Sequence, residues 1–208
     1  RHSRPAAPMV KENPMFDLSR LNWLNPPKQY DIQPERISII TEPNTDLWQR
    51  TYYGFQNDNA LMLQMATDSA YFSFTVKTEF HSKQRFDQCG IVVYNDSHHW
   101  LKASVEFEPA GFQRLGSVVT NRGYSDWATT DIASDITEMW YRLSRRGSDF
   151  RVEYSLNGKD FHQLRICHLE GADATIHFGL YACSPENSSF EAVFSEFQLG
   201  ECVWQEHQ

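Results

Sequence analysis

Trp100, Lys102, Ser104 and Glu106 recur at every second position of one run. On a β-strand they share a face, with successive members about 6.6–6.8 Å apart. Lys102 and Glu106 are then roughly 13 Å apart along the strand, too far to pair unless both bend toward Ser104. Each can instead meet a group on a neighbouring strand. The strand before, Asp87 to Tyr94, opens with the polar pair Asp87-Gln88. The segment after, Ser117 to Asn121, leads into a loop carrying Ser125-Asp126-Trp127. An indole beside carboxylate, amide and hydroxyl groups suits a sugar, because the ring stacks on the C–H face while the polar groups take the hydroxyls. Trp48, in Asp46-Leu47-Trp48-Gln49-Arg50, is a second aromatic–polar run. It either lines the same face or plugs an edge of the fold. The competing reading of the Lys102/Glu106 row is the ordinary solvated face of an antiparallel sheet.

Other chemistries find little support. His98-His99 resembles a metal pair by type only, since adjacent strand residues point opposite ways and no third ligand is near, so no metal is expected. There is no G-x-S-x-G, no Gly-rich phosphate loop and no H-E-x-x-H, and no cofactor is expected. Glu106 and Asp87 would form a glycosidase-type carboxylate pair if their strands bring them within about 5 to 9.5 Å.

The elements that must carry these groups are strands. Phe72, Phe74 and Val76 alternate with polar neighbours, and so do Leu101, Ala103, Val105 and Phe107, then Phe150, Val152 and Tyr154, then Ile176, Phe178, Leu180 and Ala182. Each set predicts one buried row per strand. Turn signals separate the runs, among them Asn95-Asp96-Ser97 and the hairpin signature Asn157-Gly158. The one modest helical candidate, Asp131 to Met139, is short and acidic and reads as a helical turn or a loop. Strands this frequent without intervening helices predict an all-β, two-sheet sandwich or jelly roll. The Phe190 to Leu199 stretch reads as a last strand that pairs near the N-terminal one.

Composition bounds the rest. The 208 residues suit one domain over 16–208, with 1–15 read as a disordered tail or expression remnant. Net charge is −8 with no Lys/Arg-rich run, which argues against nucleic acid and anionic membrane as partners. No stretch is apolar enough to span a bilayer and no apolar segment follows the N-terminus. Cys89, Cys167, Cys183 and Cys202 are scattered without a framework, so reduced thiols and cytoplasmic residence are expected.

Several stretches together resemble the regulation-of-enolase protein family, a domain-of-unknown-function group. They are Trp23-Leu24-Asn25-Pro26-Pro27, Asp46-Leu47-Trp48-Gln49, Tyr53-Gly54-Phe55, Phe86-Asp87-Gln88-Cys89-Gly90-Ile91, Trp100 to Phe107, Ser117-Val118-Val119-Thr120-Asn121, Ser125-Asp126-Trp127 and Ala182-Cys183-Ser184-Pro185. The resemblance implies a concanavalin A-like jelly roll, shared with lectins and glucanases, and carries over no catalytic residue. Retaining glucanases of that fold place Glu-x-Asp-x-(x)-Glu on one strand, whereas the strand here reads Lys102-Ala103-Ser104-Val105-Glu106 with one carboxylate. The expectation is a non-enzymatic module that binds a carbohydrate or small polar metabolite on the concave sheet. Asp87, Gln88, Lys102, Glu106, Ser125, Asp126 and Trp127 would line the site, with Trp48 nearby. Two alternatives stand beside it. One is a sugar-active enzyme with Glu106 as general acid or base and Lys102 tuning it. The other, suggested by the family's name, is a protein–protein adaptor regulating a metabolic enzyme.

Overall fold

The structure, a computed structural model, describes residues 16–207. The tail assigned to 1–15 lies outside the described residues. Among the described residues a 3-10 turn, Leu18–Arg20, precedes sixteen strands. These are β1 (Asn22–Leu24), β2 (Tyr30–Gln33), β3 (Arg36–Ile40), β4 (Leu47–Gln49), β5 (Gln56–Asp58), β6 (Leu61–Thr67), β7 (Tyr71–Phe80) and β8 (Gln88–Asp96). Then come β9 (His99–Glu108), β10 (Phe112–Asn121), β11 (Tyr124–Ala133), β12 (Glu138–Arg146), β13 (Asp149–Ser155), β14 (His162–His168), β15 (Ile176–Cys183) and β16 (Glu191–Gly200).

Two seven-stranded antiparallel sheets face each other. The front sheet runs β1-β6-β15-β8-β9-β10-β11 and the back sheet β14-β13-β12-β7-β16-β3-β2. This is the two-sheet sandwich expected from the alternation, and the concanavalin A-like jelly roll that the family resemblance implies. The rows read as buried meet between the sheets: Leu101, Ala103 and Val105 from β9 join Phe74, Val76, Tyr141, Phe150, Phe178 and Leu180 in one core. Phe107 is half-buried, because it stands beyond the last paired position of β8, Gln88↔Glu106. The last strand, β16, pairs β3 in the back sheet. The segment Asp131 to Met139 forms no helix. It ends β11, turns and begins β12, and Gln113 Nε2 holds the turn by donating to the carbonyls of Ala133 (3.1 Å) and Ile136 (2.8 Å).

The outer face of the front sheet is covered as well. The hairpin β4–β5 folds across it, and a second apolar cluster of Leu47, Trp48, Met62, Val92, Trp100, Val118, Tyr181 and Cys183 forms beneath. Trp100 and Lys102 are therefore buried although they point away from the main core. Cross-strand register fixes what lies beside them. One row reads Val92↔Lys102↔Val118↔Trp127 and another Gln88↔Glu106↔Arg114. Gly90 lets β8 and β9 approach, since a Cβ there would stand 1.8 Å from the Ala103 carbonyl oxygen. Arg122 and Gly123, with φ of 52° and 75°, make the two-residue turn that brings β11 back along β10.

Candidate functional site

The hairpin and the front sheet enclose a cavity of about 290 Å³. Its floor is polar and buried. Lys102, 3% exposed, reaches it from β9 and donates from Nζ to Gln88 Oε1 (3.0 Å) and Asp46 Oδ1 (3.3 Å). The ammonium also lies 5.7 Å from the ring centroids of both Trp100 and Tyr181. Burial alone would lower its pKa, but Asp46 and further negative neighbours outweigh burial and move it above the ordinary value. Gln88 is the hub of the floor. Its Oε1 accepts from Lys102 Nζ and from the Tyr181 hydroxyl (3.0 Å), and its Nε2 donates to the Phe86 carbonyl (2.9 Å) and to Glu106 Oε1 (3.0 Å).

Glu106 is 7% exposed, and its second oxygen, Oε2, is buried without a hydrogen-bond partner among the described residues. Burial pushes the carboxyl up to about 7, against the opposing pull of Lys102. A buried carboxyl that titrates near neutrality and keeps one oxygen uncommitted can accept from a bound molecule. A narrow crevice under Trp127, walled by Ser104, Gly116 and Ser117, reaches the same carboxyl.

The walls are aromatic. Trp48, Tyr53, Phe55, Phe86 and Trp127 line the cavity with Val118, Pro185, Asn57 and Glu186. Trp48 donates from its indole to the Thr51 carbonyl (3.1 Å), which fixes the ring, and stands edge-on to Trp127 at 6.1 Å. The tip of the hairpin is strained: Arg50 and Tyr52 hold φ of 61° and 62°, and the Tyr52 ring is 92% exposed. Arg50 ties the tip to the β10–β11 turn by donating to the Gly123 carbonyl (3.1 Å).

Of the residues read from the sequence, Trp48, Gln88, Lys102, Glu106 and Trp127 line this one cavity. Three others do not. Asp126 is exposed and ion-paired with Arg165 at 2.7 Å. Ser125-Asp126-Trp127 lies on a strand, not a loop, so Asp126 must point to the face opposite Trp127. Ser125 shares the Trp127 face, but its hydroxyl is used to dock the hairpin, accepting from the Gln49 amide (2.9 Å) and pairing with Thr120 (2.8 Å). Asp87 is buried and accepts through Oδ2 from the Lys83 and Gln84 amides and the Ser188 hydroxyl. It anchors the loop entering β8 and is not among the residues that line the cavity with Glu106. His98 and His99 meet Asp96 in the β8–β9 turn, and among the described residues no three His, Cys, Asp or Glu are grouped to hold a metal ion. Asp46, Phe86, Tyr53, Phe55 and Glu186 are cavity residues that sequence reasoning left out. Asp46, Tyr53 and Phe55 arrive with the β4–β5 hairpin, Phe86 with the loop entering β8 and Glu186 with the segment after β15.

Residues 23–202 match the family described as "Protein of unknown function (DUF1349)". The chain is 33% identical over 188 residues to "Regulation of enolase protein 1" of Saccharomyces cerevisiae, covering 90% of this chain and 93% of that protein. A solved structure of a functionally unknown S. cerevisiae protein superposes with a TM-score of 0.84 at 31% identity, covering 91% of this chain and all of the other. A glycoside hydrolase family 43 protein of Bacillus licheniformis has a TM-score of 0.68 at 17% identity, over 95% of this chain and 41% of that one. That last likeness is one of fold alone.

Proposed function

The chain belongs to the DUF1349 family, whose members share a description without a function, and from that premise we infer that it is a carbohydrate-binding module whose site is the hairpin-covered cavity. The observation that carries this reading is the pairing of aromatic walls, Trp48, Tyr53 and Trp127, with a buried polar floor in which Glu106 Oε2 has no partner. Rings offer flat surfaces to the C–H faces of a sugar, and the floor offers an acceptor to its hydroxyls. At about 290 Å³ the cavity lies at the small end of ligand sites, so its occupant is a single sugar ring or a short chain end. The reading is of a binding protein, without turnover, resident in the cytoplasm. Four cysteines without disulfides support that compartment.

Isothermal titration of the full chain against a panel of mono- and disaccharides tests it, with Tyr53→Ala and Trp127→Ala beside the native protein. At least one sugar should bind, and either substitution should weaken it by about tenfold, the loss expected when a stacking ring is removed. A panel without a binder, or variants that bind unchanged, would overturn the reading. Release of reducing ends from a disaccharide would replace it with a sugar-active enzyme. A second reading, a docking surface for a metabolic enzyme, draws on the printed name of the yeast relative and on the exposed rim rings of Tyr52 (92%), Tyr124 (62%) and Tyr53 (46%).

A further inference from the structure

The ionisable groups that line the cavity are Asp46, Lys102, Glu106 and Glu186. Three are acids and one is a base, and the base is already engaged. Lys102 has committed two of its three ammonium hydrogens, to Asp46 and Gln88, and sits between two aromatic rings. It is a poor receptor for an anion. Two other cations lie outside the lining: Arg85 pairs with Glu108 at 3.0 Å, and Arg114, across from Glu106 on β10, stands 3.7 Å from Glu108 and 5.9 Å from the Trp127 ring.

What remains for a ligand is a set of acceptors. Gln88 is saturated on both its oxygen and its nitrogen. Glu106 Oε2 is buried and without a donor, while Glu186 is exposed at the rim. Around these acceptors stand Trp48, Tyr53, Phe55 and Trp127, rings whose faces attract a cation. Acceptors within an aromatic wall favour a ligand that brings donors and positive charge, and they disfavour one that brings a carboxylate or phosphate.

We propose that the cavity selects amino sugars, binding the ring between the aromatic walls and the ammonium group at Glu106, and discriminates against uronic acids. This rests on the carbohydrate reading and adds the charge of the substituent. An ammonium on a buried carboxylate makes a charge-assisted hydrogen bond, stronger than a hydroxyl's in the same place. The amine also adds to the positive charge of Lys102 and Arg114, which by itself does not offset the burial of Glu106.

The test titrates the full chain with glucosamine, glucose, N-acetylglucosamine, glucuronate and choline. Glucosamine should bind at least about tenfold more tightly than glucose or N-acetylglucosamine, and glucuronate should not bind measurably. Glu106→Gln should reduce the preference for glucosamine over glucose by about the same factor while glucose still binds. Titration of the native chain at about pH 5 and about pH 7.5 gives a second reading should that variant not fold: the preference for glucosamine should fade at the acid pH, where Glu106 keeps its proton. Equal affinity for glucosamine and glucose would overturn the amino-sugar inference and leave the carbohydrate reading standing. Choline binding with no sugar bound would overturn both the carbohydrate reading and the amino-sugar inference, and would leave a site for organic cations. A glucosamine preference undiminished in Glu106→Gln and at the acid pH would trace it to groups other than Glu106, such as the overall charge of −8, and would also overturn the inference.

Discussion

Glu106→Gln should stabilise the protein, and only above the acid range. The folded chain holds the Glu106 proton more tightly than the unfolded chain does, because burial lifts the carboxyl from 4.5 to about 7. Below about pH 4.5 both states are protonated and the group is neutral to stability. Between the two values the unfolded chain loses its proton first, so stability falls as pH rises. Above about 7 the penalty is complete and constant. A displacement from 4.5 to about 7 corresponds to about 3 kcal/mol at most. That figure already contains the attraction of Glu106 for Lys102; glutamine keeps the acceptor for Gln88 Nε2, but its amide nitrogen would take the place of the buried, partnerless Oε2, which offsets part of the gain. A net gain of about 1–2 kcal/mol follows, or about 2–8 °C in melting temperature for a chain of this length. Thermal melts of native protein and variant at about pH 4 and about pH 8.5 measure it. The variant should melt higher at the alkaline pH and equal to or slightly below native at the acid one. A variant that melts lower at both, or whose gain is independent of pH, would show that Glu106 is not the strained, proton-holding group described above. A gain would also mark the carboxyl as kept for a ligand at the expense of stability.

Two further outcomes follow from the fold. Val105 is 1% exposed between the sheets, and Val105→Asp should cost upwards of about 4 kcal/mol and leave little folded protein, so a soluble variant of near-native melting temperature would contradict the β9 register. Thiol titration without reductant should count four free cysteines in denaturant, and under native conditions Cys89 and Cys183, at 1% and 0% exposure, should react last. A count below four would contradict the unpaired state.

The sandwich was legible because its strands obey a period of two over long runs. The run from Leu101 to Phe107 is one case, and Asn157-Gly158 marks a hairpin between β13 and β14 without any tertiary information. The same period decided which candidate site residues stand together. Within β9, Lys102 and Glu106 had to share a face, and they do line one cavity. Where a strand was read as a loop, parity was lost. Asp126 followed Trp127 into the expected site because a loop imposes no alternation, and the ten-residue β11 sends it to Arg165 instead. The cover was beyond the reach of alternation altogether. A polar row on a sheet's outer face reads alike whether water or protein lies over it, and the difference here is made by β4–β5, some fifty residues upstream of β9. Its docking depends on single contacts, such as Ser125 Oγ to the Gln49 amide and Arg50 to the Gly123 carbonyl, each spanning more than seventy residues. The hairpin turns a solvated face into a closed one. It also raises Glu106 toward neutrality by removing water, and places Asp46 against Lys102 so that the ammonium can remain charged there. The chemistry of the site therefore belongs to the contact between hairpin and sheet, and neither segment read alone would disclose it.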